Sequence, residues 1–188
     1  DGSNARAAAL ANLGLGRALH RQAEGTTGVG RLADAIGAFR KAVALISVDD
    51  APVKWAETHG ALARSLSLSG QRARQLPMLR EAVDAYRAAL SAARDELPTS
   101  LRIELQTGIG ATLLEMAEYD KSTDVLDAAA AAYTAALTLL SRAESPDAWA
   151  DASLNLGSAL LALSDTNRDP RHLKGAVEAL SGALEVLS

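Results

Sequence analysis

Over residues 79–93, the apolar positions Leu79, Ala82, Val83, Tyr86, Ala89 and Leu90 fall at i, i+3, i+4, i+7, i+10 and i+11. On a helix of 3.6 residues per turn, that spacing draws one apolar stripe along a single side. Residues 149–163 carry a comparable but broader stripe, which predicts burial on more than one side. No segment alternates β-branched with polar residues as a half-buried strand would. Ser145-Pro146 and Asp169-Pro170 each set a capping side chain ahead of a proline in a first helical turn. The pattern predicts an all-α chain of eight helices at 4–23, 31–46, 53–70, 76–95, 99–118, 123–142, 146–164 and 170–187.

These stripes recur at one fixed lag. Gly16, Ala63, Gly110 and Gly157 stand 47 residues apart, inside the segments LGRAL, LARSL, IGATL and LGSAL. Three residues on, Leu19, Leu66, Leu113 and Leu160 form a second column. In the following helix Leu32, Leu79, Leu126 and Leu173 align, as do Ala35, Ala82, Ala129 and Ala176. Phe39, Tyr86, Tyr133 and Leu180 make a large apolar column, and Ala42, Ala89, Ala136 and Ala183 a small one. Four repeats, at about 1–47, 48–94, 95–141 and 142–188, account for all 188 residues and read as a single repeat domain of helix-turn-helix pairs.

The second helix of each repeat carries A-x3-[FY]-x2-A, as Ala35-Phe39-Ala42, Ala82-Tyr86-Ala89 and Ala129-Tyr133-Ala136, with Leu180 in place of the aromatic in the fourth. The first helix carries L-G/A-x2-L, as in Leu156-Gly157-Leu160. Together these motifs resemble the tetratricopeptide repeat, across essentially the whole chain. A small residue lets the two helices approach, and the large one fills the space beside it. The period departs from the family's usual 34 residues. A HEAT-like solenoid also fits the period, but the A-x3-[FY]-x2-A signature favours the tetratricopeptide reading. Pro52-Val53-Lys54-Trp55-Ala56 and Pro146-Asp147-Ala148-Trp149-Ala150 are similar to the long-repeat variant of large bacterial multidomain proteins. Some of those join such arrays to caspase-like CHAT peptidase domains or to signalling NTPases. The resemblance implies a right-handed α-solenoid of eight antiparallel helices, with the first helix of each repeat lining the concave side.

Charge and composition narrow the function. The net charge of −4 and pI near 5.4 argue against a general nucleic-acid binder, which needs a strong basic face. The absence of cysteine excludes disulfides, Cys-based zinc sites and a Cys nucleophile. No apolar run approaches the roughly 20 residues that span a membrane, and the first residues lack the pattern of a signal peptide. A cytoplasmic location is the default expectation.

Apparent motifs dissolve on inspection. Gly25 and Gly30 in EGTTGVGR have P-loop spacing, but no strand precedes them, and Arg31-Leu32 stand where Lys and Ser or Thr are needed. The stretch is read as a turn between helices. Gly14-Leu15-Gly16 and Gly108-Ile109-Gly110 lie mid-helix, so close packing is the expected reason for Gly16 and Gly110. His20, His59 and His172 occupy different positions within the repeat, and no metal site is expected. Trp55 and Trp149 are expected to wedge between adjacent repeats. Asp49-Asp50 and Glu115/Glu118 read as solvated helix ends, since acid–base work needs a pocket that separates two pKa values. No catalytic residue and no cofactor is expected.

The function expected is protein or peptide binding through the concave surface of a non-catalytic scaffold that is one module of a larger bacterial protein. The alternative is a regulatory segment of a multidomain enzyme whose catalytic domain lies elsewhere. Carried over residue by residue, the resemblance puts Leu13, Arg17, His20 and Arg21 on the concave face in repeat one and Arg64 in repeat two. Glu104 and Ala111 follow in repeat three, and Asn155 and Ser158 in repeat four. Arginine near the start suits charge-assisted, bidentate bonds to carboxylates. The Asn and Lys pattern of the family's carboxylate clamp is missing. Leu180, Leu184 and Leu187 continue an apolar stripe at the last helix with no capping helix after it, which predicts either a fragment of a longer protein or end-to-end self-association there.

Overall fold

A computed structural model describes residues 2–25, 29–92, 96–120 and 122–188. Among them the chain forms α1 (Gly2–Glu24), α2 (Gly30–Leu45), α3 (Pro52–Ala73), α4 (Leu76–Ala92), α5 (Thr99–Ala117), α6 (Thr123–Leu137), α7 (Pro146–Asn167) and α8 (Pro170–Leu187), and no strand. The chain is thus a helical repeat of consecutive hairpins. It divides into two compact units, Asp1–Pro98 and Thr99–Ser188. In unit one, α1 packs on α2, α2 on α3 and α3 on α4; in unit two, α5, α6, α7 and α8 follow the same order.

The expected turn at 24–31 begins at the end of α1 and ends at Gly30, where α2 starts; residues 26–28 lie outside the described residues. So do residues 93–95, where the expected fourth helix ends. Three boundaries differ from the periodicity. α3 and α7 continue to Ala73 and Asn167, and both stop on a residue in the left-handed region, Arg74 (φ 53°) and Arg168 (φ 56°). Glycine is the usual helix stop of this kind, so arginine gives no signal in the sequence. Gly70 lies inside α3, where an added Cβ would come within 2.9 Å of Leu79. α6 stops at Leu137, because the next turn tightens: Leu139 N–H bonds Ala136 O at 3.0 Å, and Leu140 N–H bonds Leu137 O at 3.3 Å.

The joints inside the two units match. In unit one Ser47 O accepts from Ala51 N–H, and Ala51 O from Trp55 N–H; in unit two Ser141 O accepts from Ser145 N–H, and Ser145 O from Trp149 N–H. At the start of α8, Asp169 accepts from Arg171 N–H at 2.9 Å and pairs with its guanidinium at 2.6 Å. Hydrogen bonds from Arg171 hold the Asp169 carboxyl down at about 2. Ser145 is expected to cap α7 in the same way, but its side chain makes no capping bond, and its backbone lies in a different region (ψ 59° against 116° at Asp169).

In the hairpins of repeats one, three and four the core holds a contact between a small and a large residue 23 positions apart. A Cβ placed on Gly16 would stand 2.6 Å from the Phe39 ring, and one on Gly110 2.7 Å from the Tyr133 ring. One on Gly157 would stand 2.6 Å from Leu180 Cγ. In the second repeat the small partner is Ala63, fully buried, with buried Tyr86 in the large column. Burial pushes the Tyr133 phenol up to about 12. Two residues before Gly16, Gly14 has nothing within 4 Å of an added Cβ. Gly14→Ala is therefore expected to stabilise the protein by about 0.4–1 kcal/mol, and Gly16→Ala to destabilise it by about 1–3 kcal/mol as Phe39 is forced aside. Urea midpoints that move in the same direction for both would contradict this account of the core.

Candidate functional site

The first helices of unit one, α1 and α3, run side by side and make the seam that carries most of the sequence-predicted binding residues. On α1, Ala9, Leu13, Gly16, His20 and Ala23 are spaced as one stripe, and all are buried. Leu13 and His20 therefore differ from the expectation that they line an open face. Leu13 is 3% exposed, in a core cluster with Ile36, Phe39, Leu62 and Leu66, and His20 is 9% exposed. The physical reason is register: both share the stripe of Gly16, which must face Phe39 for the hairpin to close. Arg17 and Arg21 fall between the stripe positions and are exposed, as is Arg64 on α3.

Three contacts tie the seam together. Arg17 Nη2 lies 3.7 Å from Glu57 Oε2, which also takes Lys54 Nζ at 2.6 Å. Such exposed pairs contribute little, about 0–1 kcal/mol. His20 Nδ1 is 2.9 Å from Ser65 Oγ, a buried bond between repeats. Arg72 donates to Ala23 O at 2.9 Å, which places a guanidinium at the C-terminal, negative end of α1. His20 Nε2 lies 3.4 Å from Glu24. Burial holds the His20 imidazole below its ordinary value of 6.5, and the charges of Arg64 and Arg72 add to the shift against the pull of Glu24. Sequence reasoning placed Arg64 and His20 on one face but missed Ser65 and Arg72, which meet α1 only through the packing of α3 beside it.

In unit two the same repeat positions are quieter. Glu104 and Ala111 are exposed on α5. On α7, Asn155 donates to Asp151 O at 2.9 Å and Ser158 to Leu154 O at 3.0 Å, so both side chains bond their own helix. At the last helix, Leu180 is half-buried against Gly157, while Leu184 and Leu187 are exposed.

Other features lie off the seam. The Trp55 ring stacks on His59 at 3.6 Å, within α3. Trp149 packs on α8 near Gly182 and takes the Arg142 guanidinium over its ring at 5.1 Å, while Arg142 also pairs with Glu185 at 2.9 Å. Its place is thus against the second helix of its own repeat. A cleft of about 490 Å³ opens between α1 and the α2–α3 joint, lined by Ala9, Leu10, Leu45 and Ile46 with Arg6 and Lys54 among its charged residues. No sequence motif marks it; exposed Leu10 and Leu45 are its only trace. Among the described residues, no three His, Asp or Glu side chains converge as a metal site would need, and no helix is long and apolar enough to cross a membrane.

The class that this architecture defines is the helical repeat protein. Solved structures similar to the chain include the following two. One, titled "DHF58 filament", is 13% identical with a TM-score of 0.54, covering 98% of this chain and 95% of that one. The other, the crystal structure of the de novo designed helical repeat protein DHR64, is 15% identical with a TM-score of 0.49, covering 100% and 96%. At 13% identity the first likeness speaks for the fold alone. No protein-family model and no curated protein matches the chain.

Because the folded protein holds His20 below its ordinary value, the unfolded chain binds more protons near that pH. The associated stability is present above about pH 6.5 and is lost as pH falls through the folded value. His59, also lowered by burial, acts in the same sense. His20→Gln is expected to flatten the fall in urea midpoint between neutral and mildly acidic pH, leaving the share of His59. An unchanged pH profile would remove His20 from this role.

Proposed function

We propose that the chain is a non-catalytic, tetratricopeptide-like scaffold that binds an acidic segment of a protein or peptide along the α1/α3 seam of unit one. The observation that carries this reading is the pair Arg17 and Arg64. They occupy the same repeat position on neighbouring first helices, both are exposed, and Arg21 adds a third cation one turn along α1. Guanidinium groups suit carboxylates because they donate in bidentate fashion. In unit two that repeat position holds Ala111 and Ser158, so the cationic character is confined to one unit. The small-to-large core pairs occupy the positions at which the tetratricopeptide family packs its hairpins, which supports the family reading.

The test is binding of fluorescently labelled peptides that differ only in Asp and Glu content. Acidic peptides are expected to bind in a salt-dependent manner, and Arg17→Ala with Arg64→Ala to weaken them several-fold, since each exposed guanidinium–carboxylate pair contributes about 0–1 kcal/mol. Asn155→Ala should leave binding unchanged. Acidic and neutral peptides binding alike, or indifference to the double arginine variant, would overturn the reading.

A further inference from the structure

We propose that this chain docks head to tail on a second copy of itself, with the outer face of α8 covering the outer face of α1. The repeat register supplies the argument. At two successive apolar columns, repeat one has Leu32 and Ile36, and repeat three has Leu126 and Ala130; all four are buried. Inside each unit, the next first helix packs over that second helix, α3 on α2 and α7 on α6. The same columns in α8 hold Leu173 and Val177, and both are open: Val177 is 57% exposed where Ile36 is 4%. Leu184, further along the stripe, is 63% exposed.

The complementary face is on α1. Its exposed residues Ala11, Leu15 and Ala18 occupy the repeat positions of Thr58, Leu62 and Ser65 on α3, all three buried. Leu15 is 53% exposed where Leu62 is 7%, and Leu62 sits in one core cluster with Ile36. The chain thus carries both halves of an interface that it already builds internally between α2 and α3. Sizes match as well, because α1 offers small residues around one leucine and α8 offers a row of large ones. Pairing α8 with another α8 would instead set large against large. A contact between unlike faces does not exhaust itself in a dimer; it continues into rings or open chains.

Light scattering on the full chain over a concentration series tests this. The mass is expected to rise past that of a dimer. Leu184→Glu and Leu15→Glu, both at exposed positions, are each expected to give a folded monomer, with the fold checked by circular dichroism. An equimolar mixture of the two variants should then form dimers and nothing larger, since each retains the face that the other lacks. A monomer at every concentration, a dimer that survives Leu15→Glu, or a mixture that stays monomeric would overturn the proposal.

Discussion

The distance between the two helices of a hairpin is governed by a ring lying over a stretch of backbone that has no side chain. Phe39 over Gly16 and Tyr133 over Gly110 leave no room for even one methyl group. A glycine inside a helix costs about 1 kcal/mol relative to alanine, so the gain in contact must exceed that cost. Interiors packed at this density resist added volume because neighbouring rings have few alternative rotamers. Leu180 over Gly157 is equally close, an added Cβ standing 2.6 Å from its Cγ, with an aliphatic side chain in place of the ring. In the second repeat Ala63 and Tyr86 hold the same two columns, and both are buried.

That constraint reaches the surface. Once Gly16 must face Phe39, the rotation of α1 about its axis is settled, and with it the side on which every other residue of the helix lies. Leu13 and His20 go inward; Arg17 and Arg21 go outward. His20 then meets Ser65 on the neighbouring helix, and Arg72 reaches the end of α1. The cationic character of the seam is therefore a consequence of helix register as much as of composition, because the chain as a whole carries a net charge of −4.

The fold was legible wherever a residue's role depends on periodicity. Helix positions, the 47-residue lag and the small and large columns follow from spacing alone, and the glycines at 16 and 110 were readable as packing sites. Helix ends were less legible. Arg74 and Arg168 stop their helices in a conformation that usually calls for glycine, and the tightening after Leu137 depends on backbone bonds that no residue type announces. For the seam, family positions put Arg17, Arg21 and Arg64 on an open face, and all three are exposed, but they put Leu13 and His20 there too, and both are buried. Their burial follows from the ring that Gly16 meets, and the sequence does not by itself show which ring that is.

The contacts also carry a consequence for how the chain comes to be folded. Each closing pair lies 23 residues apart, and even the bonds that join neighbouring repeats, His20 to Ser65 and Arg72 to Ala23, span only 45 and 49 residues. Ordering a short loop costs little entropy, and chains dominated by such near neighbours fold quickly. In repeat arrays nucleation can begin in any hairpin and spread to the next. During synthesis, a hairpin can close as soon as its second helix has left the ribosome, without waiting for the residues that follow.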